Sequence, residues 1–341
     1  MHSQLVRSDV ATSAIAHSPV PRPAAPRIAG ARLALLCVAL LAAACKSNKD
    51  PRDEGVRAAP DVIELSDRPV ELADDRAPGA ILADFDGQIR RWNEFALSNR
   101  AEDQRKRRRL EDFLRVMSRK HLELLDQELT SPNSRHRAIA ASAIGFSGEL
   151  GLSGALVAAL DDDVTEVVDN ALLGLGQLAD PATPVVPLMH LLGTGTDGWT
   201  RSNAAFALKR IVEAGGAQDL NVREDLRESL KLALLDREDA VRVQAAATLQ
   251  TTAVRADLPA LVDALYDPAA LVVVASAMAV RRVGEEEEGA RGEAARALYS
   301  AWQEREERNV RTVVKGELAR LAGRNFGDDA EQWREWAYGL P

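Results

Sequence analysis

From His136 onward one short pattern recurs six times, and no other feature of the chain limits its fold so tightly. Copies begin at His136 (HRAIAASAIG), Val167 (VVDNALLGLG), Thr200 (TRSNAAFALK), Val241 (VRVQAAATLQ), Val272 (VVVASAMAVR) and Val310 (VRTVVKGELA), at spacings of 31, 33, 41, 31 and 38 residues. The first five follow a turn containing Asp or Pro, and small residues tend to fall four, five and seven places after the start. Shorter apolar helices lie between the copies, at Ser153–Leu160, Val185–Leu192, Leu226–Leu235, Leu258–Tyr266 and Glu293–Gln303. A helix–turn–helix unit cannot bury its apolar face alone; stacking on the next unit buries it, and Ala at the contact lets helices approach closely. Composition agrees, with aromatics at 4% and Ala at about one residue in six. The predicted fold is all-α, an α-solenoid of about six helix pairs over residues 131–322, stacking to roughly 50–60 Å.

Ahead of the repeats, Asn99 and Glu102 form a capping-box pattern. Leu110, Phe113, Leu114, Met117, Leu122, Leu125 and Leu129 then recur at helical spacing, which predicts one long amphipathic helix ended by Ser131-Pro132-Asn133. Residues 87–130 are thus N-terminal helices leading into the first repeat. After the repeats, residues 323–341 hold Asp328 and Glu331, a helix-start pair, and Trp333 and Trp336 on one face. This segment reads as an aromatic cap on the last unit.

The repeated unit resembles the HEAT-repeat family in its short bacterial form, with Asp236–Gln250 (DREDAVRVQAAATLQ) the nearest copy. The resemblance implies a HEAT-like solenoid with degenerate end units and inter-unit ladders of Asp and Arg. Candidates for the ladder are Arg137, Arg201, Arg242 and Arg311, with Asp161, Asp197, Asp236 and Asp267 in the preceding turns. Trp-x-x-Trp tails also close other bacterial HEAT arrays.

The N-terminus reads as an address. Leu33 to Ala44 (LALLCVALLAAA) carries no charge over twelve residues, too short to span a bilayer but suited to the apolar part of a signal peptide. It runs directly into Cys45, and small residues before a Cys at that place resemble the lipobox of bacterial lipoproteins. The resemblance implies cleavage between Ala44 and Cys45, acylation of Cys45 (palmitate-type lipid), and residues 1–44 as a removed leader. Lys46, where Asp retains members of that family in the inner membrane, leans towards the outer membrane. Residues 45–86, with Pro51, Pro60, Pro69 and Pro78 among many charges, read as a disordered polar tether. Its root-mean-square span would be roughly 35 Å.

The remaining chemistry is thin. Cys37 and Cys45 are the only cysteines, so the body of the chain has no disulfide framework or Cys-based metal site. Gly193-Thr194-Gly195-Thr196-Asp197-Gly198 fits a dinucleotide fingerprint, but helical units surround it where a strand is required, so it reads as a turn inside the third unit. His121, His136 and His190 are far apart and none precedes a Glu, unlike the His-Glu pairs of HEAT-built iron hydroxylases. No catalytic residue, metal ligand or cofactor is assigned.

Two partner surfaces are candidates. Arg105, Lys106, Arg107, Arg108 and Arg109 form the strongest basic run and are a candidate anion contact, flanked by acids that could pair with them. Leu173, Phe206, Val243, Val274 and Met278 face away from the apolar centre of their helices. They are expected either to pack on neighbouring units or to form an exposed stripe for a partner. Removing residues 1–44 takes four Arg and one Asp, leaving 39 basic and 51 acidic side chains and a net charge of −12 against −9 for the full chain. That balance argues against nucleic acid or an anionic lipid surface as the main partner.

The expected function is that of a lipid-anchored scaffold in the cell envelope, on the outer membrane facing the periplasm, binding protein partners without catalysing a reaction. The alternatives are a HEAT-type enzyme or lyase-like subunit with an unrecognised site, and a structural lipoprotein binding cell wall or glycolipid.

Overall fold

The computed structural model describes residues 76–96 and 100–341, all within one compact unit. Every regular element among them is helical. The long second helices of the repeats are α4 (Ser134–Gly145), α6 (Thr165–Leu178), α8 (Gly198–Glu213), α10 (Asp239–Thr252), α12 (Ala270–Glu286) and α14 (Arg308–Ala322). All six copies of the sequence pattern lie on them, and each packs against the next in order. Their partners are α3 (Leu122–Glu128), α5 (Ser153–Ala158), α7 (Val186–Thr194), α9 (Leu220–Ala233), α11 (Leu258–Ala264) and α13 (Arg291–Glu304). The solenoid of about six HEAT-like helix pairs is therefore present, with one core running from Ile81 to Ala337.

The two helix sets differ because their surroundings differ. In α4 every residue from Ala138 to Gly145 is buried, since the helix lies between its own partner and its stacked neighbours. In α9 burial is confined to Leu226, Leu230 and Ala233, a stripe at helical spacing, with charged residues around the rest. Side-chain caps fix several starts: Asn133 accepts from the Arg135 amide, Asp197 from those of Trp199 and Thr200, and Asp219 from those of Asn221 and Val222.

The crossing of α4 and α6 is a backbone-to-backbone contact. A Cβ on Gly145 would stand 2.5 Å from the Cα of Gly174, and one on Gly174 would stand 2.3 Å from the Ala141 carbonyl oxygen. In the next unit Phe206 occupies the space over Gly176, where a Cβ would meet its ring at 2.4 Å.

Four expectations shift at the ends of the array. Helix is present before residue 87: α1 (Pro78–Ala96) takes in residues 78–86, which the sequence reading gave to the tether. Its Ile81, Leu82, Phe85, Ile89 and Trp92 are buried, a helical spacing that the prolines and charges around it mask. The long helix to Leu129 is two helices, α2 (Ala101–Lys120) and α3, parted at His121, where φ is −111° and ψ is 23°. The His121 ring packs edge-on against Phe85 there, so α1 fixes the break. α2 begins after Arg100, not at an Asn99 cap; Asn99 lies outside the described residues. The last helix, α15 (Ala330–Tyr338), is capped by Asp329 rather than Asp328, which instead pairs with Lys315.

α15 lies against α13. Trp333 is fully buried among Trp302, Phe326 and Trp336 in edge-on contacts at 4.7–6.4 Å, and its indole N–H donates to the Gly327 carbonyl. The Trp-x-x-Trp segment is thus spent on covering the sixth unit.

Candidate functional site

The repeats are riveted by a ladder with a fixed design. Arg137 donates through Nε and Nη2 to Asp162 at 2.7 and 2.9 Å, Arg201 to Asp236 at 2.6 and 2.9 Å, and Arg242 to Asp267 at 2.7 and 3.0 Å. The third guanidinium donor, Nη1, reaches the carbonyl six residues earlier: Ser131, Gly195 or Asp236. Each aspartate also accepts from the amide two residues on, at Val164, Glu238 or Ala269. One bidentate pair therefore fixes both its own turn and the turn of the following unit.

The charges respond accordingly. The Arg137 side chain holds Asp162 below the usual carboxylate range. Burial alone would raise Asp236, but the Arg201 guanidinium and the Glu238 amide outweigh it, and its carboxyl is lowered.

Two of the expected ladder acids stand elsewhere. Asp162, one residue beyond the expected Asp161, is the one that faces Arg137. Asp197 caps α8, and Val168 occupies the position where four other units have Arg. The second and third units are joined instead by Thr200 Oγ donating to Asp169 at 2.8 Å. Burial, reinforced by Asp197 and Glu166, pushes the Asp169 carboxyl up to about 6, against a lowering contribution from Thr200.

Beside the Arg201–Asp236 rung a cleft of about 540 Å³ opens between α7 and α9. Met189 and Leu192 line one side, and Leu232 and Ala233 line the other. The Gly193–Gly198 run is the turn from α7 into α8 and borders this cleft; a helix precedes it. Gly195 is required there, since a Cβ would lie 2.8 Å from the Leu191 carbonyl oxygen. Leu232 is 72% exposed and Leu235, just past the end of α9, is 80% exposed. Both fall off the helical stripe of Leu226, Leu230 and Ala233 that α9 buries.

The apolar stripe is not a free surface. Leu173, Phe206 and Val243 are buried at 7%, 4% and 3% exposure, Phe206 over Gly176. Val274 and Met278 are half-buried, and Met278 packs on the core. Small residues on the stacked helices bring neighbours close enough to cover these positions, and helical phase alone does not report that distance.

The basic run divides. Lys106 pairs with Glu102 at 3.0 Å and Arg107 with Glu111 at 3.3 Å. Arg105, Arg108 and Arg109 are exposed. The three histidines do not converge: His121 is buried beside Phe85, His136 bonds Glu128 at 2.9 Å, and His190 is exposed. Among the described residues no group of three or more His, Cys, Asp or Glu could hold a metal ion, and no helix is long and apolar enough to cross a membrane. Ala44, Cys45 and the apolar run before them lie outside the described residues.

Residues 122–209 match the family model for HEAT repeats. The matched stretch runs from α3 into α8. No curated protein matches the chain. Among solved structures, two engineered proteins are similar at 21% and 18% identity, each with a TM-score of 0.48. The first covers 59% of this chain and 98% of that one, the second 75% and 72%. The complex of CpcE and CpcF of phycocyanin lyase from Nostoc sp. PCC7120 is similar at 20% identity and a TM-score of 0.38, covering 64% of this chain and 94% of that chain.

Proposed function

We propose that this chain is a lipid-anchored adaptor of the cell envelope, attached through Cys45 at the outer membrane, whose HEAT-like solenoid binds an apolar segment of a partner protein. It works by recognition and catalyses no reaction. The observation that carries the recognition half is the cleft between α7 and α9. It is an apolar-walled groove with two leucines left largely in water beside it, on a rigid rung-fixed frame. Exposed apolar side chains clustered around a concavity are the usual mark of a contact site. The Arg201 donors are all engaged within the ladder, so the cleft offers shape and apolar area rather than a free charge. The address half is supported by the sequence from Leu33 to Cys45.

The test replaces Leu232 and Leu235 with Asp. Both side chains are mostly solvated, so the fold should persist, as circular dichroism would verify. A crosslinkable residue at Arg237, on the rim of the cleft, is expected to capture one discrete partner in cells, and the double substitution should abolish that adduct. An unchanged adduct in the double variant would contradict the assignment. Substituting Phe206 is not a usable test of recognition, because that ring is part of the core.

A further inference from the structure

α2 carries eight basic side chains against four acidic ones, in a chain whose net charge is −9. Leu110, Leu114, Met117 and Ser118 turn one side of it into the core. At about 100° per residue, the outward side presents Arg105, Arg108 and Arg109, followed by Phe113 and Val116. The three arginines are exposed and have no ion-pair partner among the described residues. Phe113 is 39% exposed and Val116 69%. The face thus combines three guanidinium groups without an ion-pair partner among the described residues and two solvated apolar side chains within three turns, with exposed Asp112 between them paired to Arg115 at 3.2 Å.

We infer that this face of α2 docks on an anionic phospholipid bilayer, its three arginines among the headgroup phosphates and Phe113 and Val116 at the headgroup–acyl boundary. Guanidinium groups match phosphate oxygens in geometry as well as charge. Like charges stacked along one helix repel each other, and a surface of opposite sign relieves that repulsion. The apolar pair decides between polyanions: a nucleic acid offers phosphates but no apolar layer for Val116, whereas a lipid interface offers both. The position agrees, since α1 begins 33 residues after Cys45 and packs directly on α2, so the face stands at the anchored end of the array. The inference rests on the envelope reading only for the presence of a bilayer nearby. Docking α2 would fix how the solenoid stands on the membrane and leave the cleft between α7 and α9, further along the stack, available to a partner.

The test uses the full chain carrying Cys45→Ala, which cannot be acylated at that site. It is sedimented with vesicles of phosphatidylcholine alone or of phosphatidylcholine mixed with phosphatidylglycerol. Binding is expected to the anionic vesicles and to weaken as salt is added. Arg105→Gln, Arg108→Gln and Arg109→Gln together should weaken it about a hundredfold, from roughly fivefold per guanidinium. Val116→Asp alone should also weaken it, with circular dichroism confirming that both variants are folded. Equal binding by the triple variant would overturn the inference, as would equal binding to uncharged vesicles, which would trace the attachment to the apolar leader. So would retention of transfer RNA by the parent but not the triple variant, with neither held by vesicles. Fatty-acid labelling of unsubstituted Cys45 bears on the anchor alone, so the two readings fail separately.

Discussion

Two glycines, each inside a helix, should respond in opposite directions to the same substitution. Ala is favoured over Gly in a helix interior by about 1 kcal/mol. At Gly174 that gain meets an obstacle, because the added Cβ would stand 2.3 Å from the Ala141 carbonyl oxygen, 3.2 Å from the Ala141 carbonyl carbon and 3.3 Å from Leu156 Cδ1. The opposing atoms are mostly α4 backbone, so no rotamer change relieves the clash and α4 and α6 must separate. Overpacking of a close contact costs about 1–3 kcal/mol and occasionally more. A forced separation of two backbones belongs at the upper end, so Gly174→Ala should destabilise by a net of about 1–3 kcal/mol. At Gly316 in α14 a Cβ meets nothing within 4 Å, so Gly316→Ala should stabilise by up to about 1 kcal/mol.

For a domain of this size each kcal/mol moves Tm by about 2–4 °C. Gly174→Ala should therefore lower the helical melting transition by roughly 3–10 °C, and Gly316→Ala should raise it by up to about 4 °C. Because contacts in a stacked array run mainly between neighbours, amide exchange should speed up first in α4 and α6. A rise in Tm for Gly174→Ala, or equal shifts for both variants, would refute the close-approach argument.

The ladder and the titrating acids make further predictions. Arg201→Met should cost about 3 kcal/mol by stranding Asp236, and adding Asp236→Leu should recover much of it, as a denaturant double-mutant cycle would show. Asp162 and Asp236 are lowered in the folded state, so the stability they contribute is present above the ordinary carboxylate pKa and lost as pH falls through their folded values; acid melts should show that loss below about pH 4. Asp169, raised to about 6, has the opposite sign: its contribution is full below about pH 4 and disappears as pH rises through 6. Asp169→Asn keeps an acceptor for Thr200 and should raise stability at pH 7.5 by about 1–3 kcal/mol, with the gain vanishing near pH 4 in paired melts.

The repeat was legible because it rests on periodicity. All six copies name the stacked helices, and the apolar segments between them name the partner helices, since both signals are local. The ladder was legible in its arginines and only partly in its acids. Which of Asp161 and Asp162 faces Arg137 depends on a 3-10 turn after α5, and Asp197 is diverted to capping because Val168 leaves it no guanidinium. α1 was hidden by Pro78, which reads as tether but is the first residue of the helix, where its missing amide hydrogen costs nothing. The partner surface was the least legible. Phe206 is covered because Gly176 lets α6 come near, a distance between helices that helical phase does not encode, whereas Leu232 and Leu235 are exposed because they fall off the buried stripe of α9.

The central claim, a solenoid held at the envelope by lipid on Cys45, is tested most directly by metabolic fatty-acid labelling of the full chain and its Cys45→Ala variant, followed by membrane fractionation. The parent should be labelled and pellet with membranes, and the variant should carry no label. Label persisting on Cys45→Ala, or an unlabelled parent, would contradict the account.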